Sequence, residues 1–125
     1  MKKNPSLAGK KLELLTCYIH KKKLLDEVLE RLIELDVGGV TVQDSTGIGR
    51  AQIHDIVLHS SFKNILNQGK KDHYTVQCII PATEVNLISK ELTKIYGNFK
   101  EQGIGFFFTS PVNKAWGINL PNNKK

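Results

Sequence analysis

The chain has 125 residues, 40% hydrophobic and 24% charged, the balance of one ordinary globular domain. No apolar run approaches the roughly 20 residues that cross a bilayer, and the opening MKKNPSLAGKKLELL lacks a stretch of signal-peptide length, so a cytoplasmic protein is expected. The 18 Lys+Arg against 12 Asp+Glu give +6, but the excess sits in short clusters at ends and turns, a solvated surface as readily as a nucleic-acid footprint.

From Lys11 to His20, KLELLTCYIH carries apolar side chains on both parities, which predicts a central strand covered on both faces. Lys22 to Leu35 follows with Leu24, Leu25, Val28, Leu29, Leu32 and Ile33 as a helical stripe, and Asp26, Glu27, Glu30 and Glu34 opposite. The helix should stop at DVGG, where Gly38 or Gly39 can take a positive φ, and VTVQD then alternates as a second strand. His73 to Ile80, HYTVQCII, predicts a third strand with Val76, Cys78 and Ile80 on one face and Pro81 as its end. Thr83 and Glu84 provide a cap and first-turn acid for a second helix, whose apolar face is Val85, Ile88, Leu92 and Ile95. Gly105 to Val112, GFFFTSPV, is an aromatic fourth strand closed by Pro111. Cys17 and Cys78 fall inside strands, the pattern of buried reduced thiols.

This order, β-α-β, long loop, β-α-β, predicts an α+β ferredoxin-like fold: a four-stranded antiparallel sheet with two helices on one face. The chain reads as a single domain over 1–125, with 1–10 and 117–125 as tails. Its unusual part is the connection 45–72, far longer than the about 2 to 5 residues of a hairpin loop. It holds Ile53, Ile56, Val57, Leu58, Phe62, Ile65 and Leu66, too apolar for a plain linker, and reads either as a β-arm with a helical turn or as a surface that folds onto a partner.

Function is less directly written. A Gly-x-Gly turn, Gly47 to Gly49, followed by Arg50, could bring backbone amides and a guanidinium to a phosphate, yet no third glycine follows at dinucleotide-fold spacing. The four histidines, His20, His54, His59 and His73, lack metal-site spacing, and no P-loop or Gly-x-Ser-x-Gly occurs, so no enzyme is expected and no metal site either.

Four stretches together resemble the P-II signal-transduction family: LLTCYIHKKKLLDEVLERL, GGVTVQDSTGIGR, the CIIP end of the third strand, and YGNFKEQGIGFFF. The family's Gly-Met-Thr-Val and Gly-Phe-Gly-Arg are matched by Gly39–Val42 and by Gly47, Ile48, Gly49 and Arg50. The resemblance implies a homotrimer that binds an adenine nucleotide, ADP or ATP, at subunit clefts. It also implies that the loop 45–72 is a switch controlling a target protein, such as a membrane transporter or a metabolic enzyme. On this resemblance Gly47, Ile48, Gly49 and Arg50 line the nucleotide, Thr41 helps read the adenine, and the loop from Gly97 to Gly105, with Lys100 and Gly103, faces the phosphates. Lys114 stands where the family closes the site with arginines. Ala51 replaces the family's metal-coordinating glutamine and His73 its loop-base lysine, so Mg²⁺ and a 2-oxoacid are left open, and no tyrosine lies in the loop for uridylylation.

Two other readings compete. The same topology serves RNA-recognition domains, although the Gly/Phe-rich GIGFFFTS sits on the fourth strand and not the third. A trimer that presents the loop without any ligand would be a pure assembly module.

Overall fold

The structure is a computed structural model and describes residues 11–44 and 73–118. The connection 45–72 and both chain ends therefore lie outside the described residues, and with them Gly47, Ile48, Gly49 and Arg50.

Strand β1 (Leu12–Ile19) leads into helix α1 (Lys22–Glu34) and strand β2 (Val40–Asp44). Strand β3 (Tyr74–Pro81), helix α2 (Val85–Ile95) and strand β4 (Gly105–Val112) follow. The strands form one antiparallel sheet in the order β2-β3-β1-β4, with β1 and β3 central. Each β-α-β unit therefore skips one strand, which is the ferredoxin-like, α+β arrangement expected from the element order.

Alternation along the strands decides what the helices cover. Leu15, Cys17 and Ile19 from β1 and Val76, Cys78 and Ile80 from β3 are buried on one face. Leu24, Leu25, Val28 and Leu32 of α1 and Ile88 and Leu92 of α2 pack onto them. Ile33, at the margin of the α1 stripe, is 74% exposed and contributes nothing to this core. Burial pushes the Cys17 thiol up to about 12 and that of Cys78 to about 11, so both stay protonated in the core. Arg31 of α1 joins the helices through its pair with Glu91 of α2.

Several local expectations are corrected. Helix α1 stops before DVGG as expected, but the left-handed residue that closes it is Asp36 (φ 63°) and not Gly38 or Gly39. The amides of Asp36 and Val37 bond back to the carbonyls of Ile33 and Leu32, a Schellman closure in which aspartate replaces the usual glycine. Helix α2 is entered through a single 3₁₀ turn, Ala82–Glu84, and makes no side-chain cap hydrogen bond, so Thr83 does not cap it and Glu84 stands at its N-cap position. Pro81 and Pro111 lie inside the ends of β3 and β4, at positions an edge or a strand terminus tolerates. The sheet's second face is only half covered: Leu14 and Tyr18 of β1 are half-buried there, Thr16 between them is buried, and no helix lies over them among the described residues.

Candidate functional site

Register lays polar and apolar side chains in rows across the helix-free face. One row runs Phe108, Thr16, Gln77, Thr41 through β4, β1, β3 and β2; the adjacent row contains Ser110, Leu14 and Ile79. Where these rows approach the start of β2, a cleft of about 530 Å³ opens. Leu14 and Ile79 give it an apolar floor, Thr41 and Gln77 a polar edge, and Gly38–Gly39 and Gly117–Ile118 form its sides. Its volume is in the range of small-molecule sites, and an apolar floor with a few placed polar groups is what a flat heterocycle needs.

Of the residues singled out from sequence, Thr41 is in this cleft and its side chain is exposed. Lys114, also exposed, precedes the Gly117–Ile118 wall by three positions. The structure does not bring Gly97, Lys100 and Gly103 to them. Gly105, at the end of their loop, pairs with Ile19, five residues along β1 from Leu14, which is roughly 16 Å of strand. Within one chain the cleft and this loop therefore occupy opposite ends of the sheet. The loop does share its end with the point where β2 leaves the sheet: Asp44 pairs with Tyr74, Tyr74 with Ile19, and Ile19 with Gly105.

The loop itself is tightly held. Gly97, Asn98 and Phe99 are all left-handed (φ 66°, 57° and 59°), a conformation that costs a bulky side chain such as Phe99 appreciable energy. Phe99 is retained there by stacking on Tyr96 (5.1 Å between centroids) and by contact with Phe107 (5.8 Å). Tyr96, fully buried, donates its hydroxyl to the Tyr18 carbonyl at 3.0 Å. At its far side the loop is tied to the β1–α1 junction by the His20 amide to the Ile104 carbonyl (3.1 Å), by His20 Nδ1 to the Gly103 carbonyl (2.7 Å), and by the Lys21–Glu101 ion pair. The His20 ring in turn lies 4.2 Å from that of His73, the first described residue after the long connection. Lys100 is exposed on this loop.

Leu14, Ile79, Gln77, the glycine pair before β2 and the Gly117–Ile118 segment line the cleft and were not among the site residues expected from sequence. The one available signal was parity: Gln77 falls opposite Val76, Cys78 and Ile80 in HYTVQCII, a polar residue on the inner row of the other face. Among the described residues no three metal-ligating side chains converge, and no helix is long and apolar enough to cross a membrane. His54 and His59 are outside the described residues.

Comparison with known proteins fits this architecture. The family model described as Nitrogen regulatory protein P-II matches residues 14–120. The fold is similar to that of Arabidopsis thaliana PII bound to citrate: TM-score 0.58 and 16% identity, covering 85% of this chain and 81% of that one. A DUF3240 family protein from Shewanella baltica gives TM-score 0.57 and 14% identity over 86% and 97% of the two chains. The GlnK–ATP complex of B. subtilis gives 0.55 and 8% over 82% and 83%. At these identities the structural likeness speaks for the fold alone. No curated protein matches the chain.

Proposed function

The chain belongs to the P-II family of signal-transduction proteins, regulators and not enzymes, and from that premise we propose that it is an adenine-nucleotide sensor. ADP or ATP would bind at clefts between the subunits of a homotrimer, and occupancy would set the state of the loop 45–72. That loop would control a target protein, a membrane transporter or a metabolic enzyme, from the cytoplasm. The observation that carries the reading is the cleft beside β2, with a floor of Leu14 and Ile79 for a base and Thr41 and Gln77 at its edge.

Three further features support it. Gly47, Ile48, Gly49 and Arg50 follow Thr41 in the sequence, and the backbone amides of a Gly-x-Gly segment with a guanidinium beside them suit an anion. The loop with Gly97, Lys100 and Gly103 is too far across the sheet to close this site alone. A neighbouring subunit's copy of that loop, or its Lys114, would complete the phosphate end. The trimer reading rests on the helix-free face, where Phe106 and Phe108 are 53% and 43% exposed and cluster with Tyr18 at 5.0 and 6.2 Å. An aromatic sheet face of this kind is stabilised by covering it.

Thermal melting with ADP, ATP, AMP and cyclic AMP, with and without Mg²⁺, tests the proposal. A ligand at 100 times its Kd stabilises the folded state by about 2.7 kcal/mol, so an adenine nucleotide should raise Tm progressively with concentration. No rise with any of them at millimolar concentration would overturn the reading. The exposed aromatic rings favour one second reading, stacking of single-stranded RNA, which would need no nucleotide and would weaken steeply with salt.

A further inference from the structure

We propose that the open edge of β2 takes an extended segment of a partner protein as an added strand, and that this segment carries two apolar side chains and one basic side chain at alternate positions. The inference concerns the helix side of the sheet and does not depend on a nucleotide in the cleft.

In the order β2-β3-β1-β4, strand β2 is paired on one side, and no strand lies on its other side among the described residues. Such an edge offers a row of backbone donors and acceptors to an extended chain. The opposite edge, β4, carries Pro111, which lacks an amide donor, whereas VTVQD has neither a proline nor a lysine to discourage pairing. Thr41, Val42, Gln43 and Asp44 are all exposed.

Register identifies the side chains that an added strand would meet. Val40 and Val42 stand opposite Cys78 and Val76, so both project from the helix side, and Asp44 follows in the same row. Val40 is partly buried against the core, but Val42 is 43% exposed. One flank of α1 rises beside them. Arg31 turns toward α2 to meet Glu91, and Ile33 lies about 200° further round the helix, on the flank away from α2. That flank is on the β2 side, because α1 joins β1 to β2 while α2 joins β3 to β4. Leu29, one turn before Ile33, is partly buried at the core margin. Ile33 and Val42 are the apolar groups that an added strand would cover.

Charge decides what else the segment must carry. Glu30 on α1 and Asp44 on β2 are exposed and make no ion pair among the described residues. An antiparallel segment would set apolar side chains opposite Val40 and Val42 and a basic one opposite Asp44. A second copy of this chain does not supply that pattern. The helix-side row of β4 is Gly105, Phe107, Thr109 and Pro111, with no base, and β2 paired with itself about Val42 would set Asp44 against Val40. The occupant is therefore a different protein.

Fluorescence anisotropy on the full chain tests the proposal, with labelled Ser-Lys-Thr-Val-Thr-Val-Ser as the probe and two companions, one with Glu for the Lys and one with Pro for the central Val. The Lys probe should bind saturably, the Glu probe about fivefold or more weakly, and the Pro probe not at all. Val42→Ser and Ile33→Ser should each weaken the Lys probe by roughly threefold or more. Asp44→Lys should reverse the preference in favour of the Glu probe, an exchange that loss of folding could not produce. No saturable binding of the Lys probe to the wild type, a Pro probe that binds as tightly, or a Lys preference that survives Asp44→Lys would overturn the inference. A fall in the mass in solution of Ile33→Ser would show that a second copy covers this surface, and would overturn it too.

Discussion

Replacing Gly105 with alanine should destabilise the protein by about 2–4 kcal/mol, through a mechanism confined to the backbone. Gly105 opens β4 with φ 127°, a region almost closed to residues with a Cβ, which by itself costs on the order of 1–3 kcal/mol. A Cβ built there would lie 2.1 Å from the Tyr18 carbonyl oxygen and 3.0 Å from its carbon. No side chain can swing away to relieve this, so β1 and β4 must separate where Ile19 pairs with Gly105. The same Tyr18 oxygen accepts the Tyr96 hydroxyl, so the shift also threatens a buried hydrogen bond worth about 1 kcal/mol. Against a total stability of roughly 5–15 kcal/mol this is a large fraction. Urea denaturation read at constant m gives the answer, and Gly39→Ala is the control. Gly39 lies outside the left-handed region, and a methyl group added to it would meet no atom within 4 Å, so that change should stay within about 0.5 kcal/mol of wild type. A Gly105→Ala protein equally close to wild type would refute the argument from backbone geometry.

Alkaline pH should weaken the fold through its buried thiols. Burial raises Cys17 to about 12 and Cys78 to about 11 in the folded state, against about 9.0 when exposed, so the unfolded chain loses these protons first. Their contribution is fully present below pH of about 9 and is lost as pH rises toward about 11 to 12. The urea midpoint should fall above pH 9, more shallowly in a Cys17→Ala/Cys78→Ala protein; equal slopes in the two would contradict this. Phe106→Ser combined with Phe108→Ser should lower the mass in solution from trimer toward monomer while leaving the circular dichroism unchanged, since both rings are largely exposed in one protomer. Retention of the trimer would remove the aromatic face from the interface. Arg50→Ala should weaken nucleotide binding without altering that mass, and unchanged affinity would exclude Arg50 from the site.

Much of the fold is legible in the sequence because it depends on local periodicity. The strand parity of Val76, Cys78 and Ile80 and the helical stripe from Leu24 to Leu32 each identify a buried face without knowledge of what covers it. What stays hidden depends on chain segments meeting. Thr16 and Gln77 are 61 positions apart, and only the β1–β3 register brings them into contact. Tyr96 ends the helical stretch in sequence, and only the fold shows it fully buried, with its hydroxyl on the Tyr18 carbonyl and its ring against Phe99 and Phe107. The tail reads as frayed from Gly117 onward, whereas Gly117 and Ile118 wall the cleft. Asp36 shows the limit of composition rules: two glycines stand nearby, but the hydrogen bonds of the last helical turn fall two residues sooner.

Isothermal titration with ADP and ATP, in the presence and absence of Mg²⁺ and alongside the mass of the protein in solution, tests the sensor account most directly. The account predicts a trimer that binds an adenine nucleotide with micromolar affinity at one site per protomer. A trimer giving no binding heat with either nucleotide at millimolar concentration would contradict it and leave an assembly module that works without a ligand.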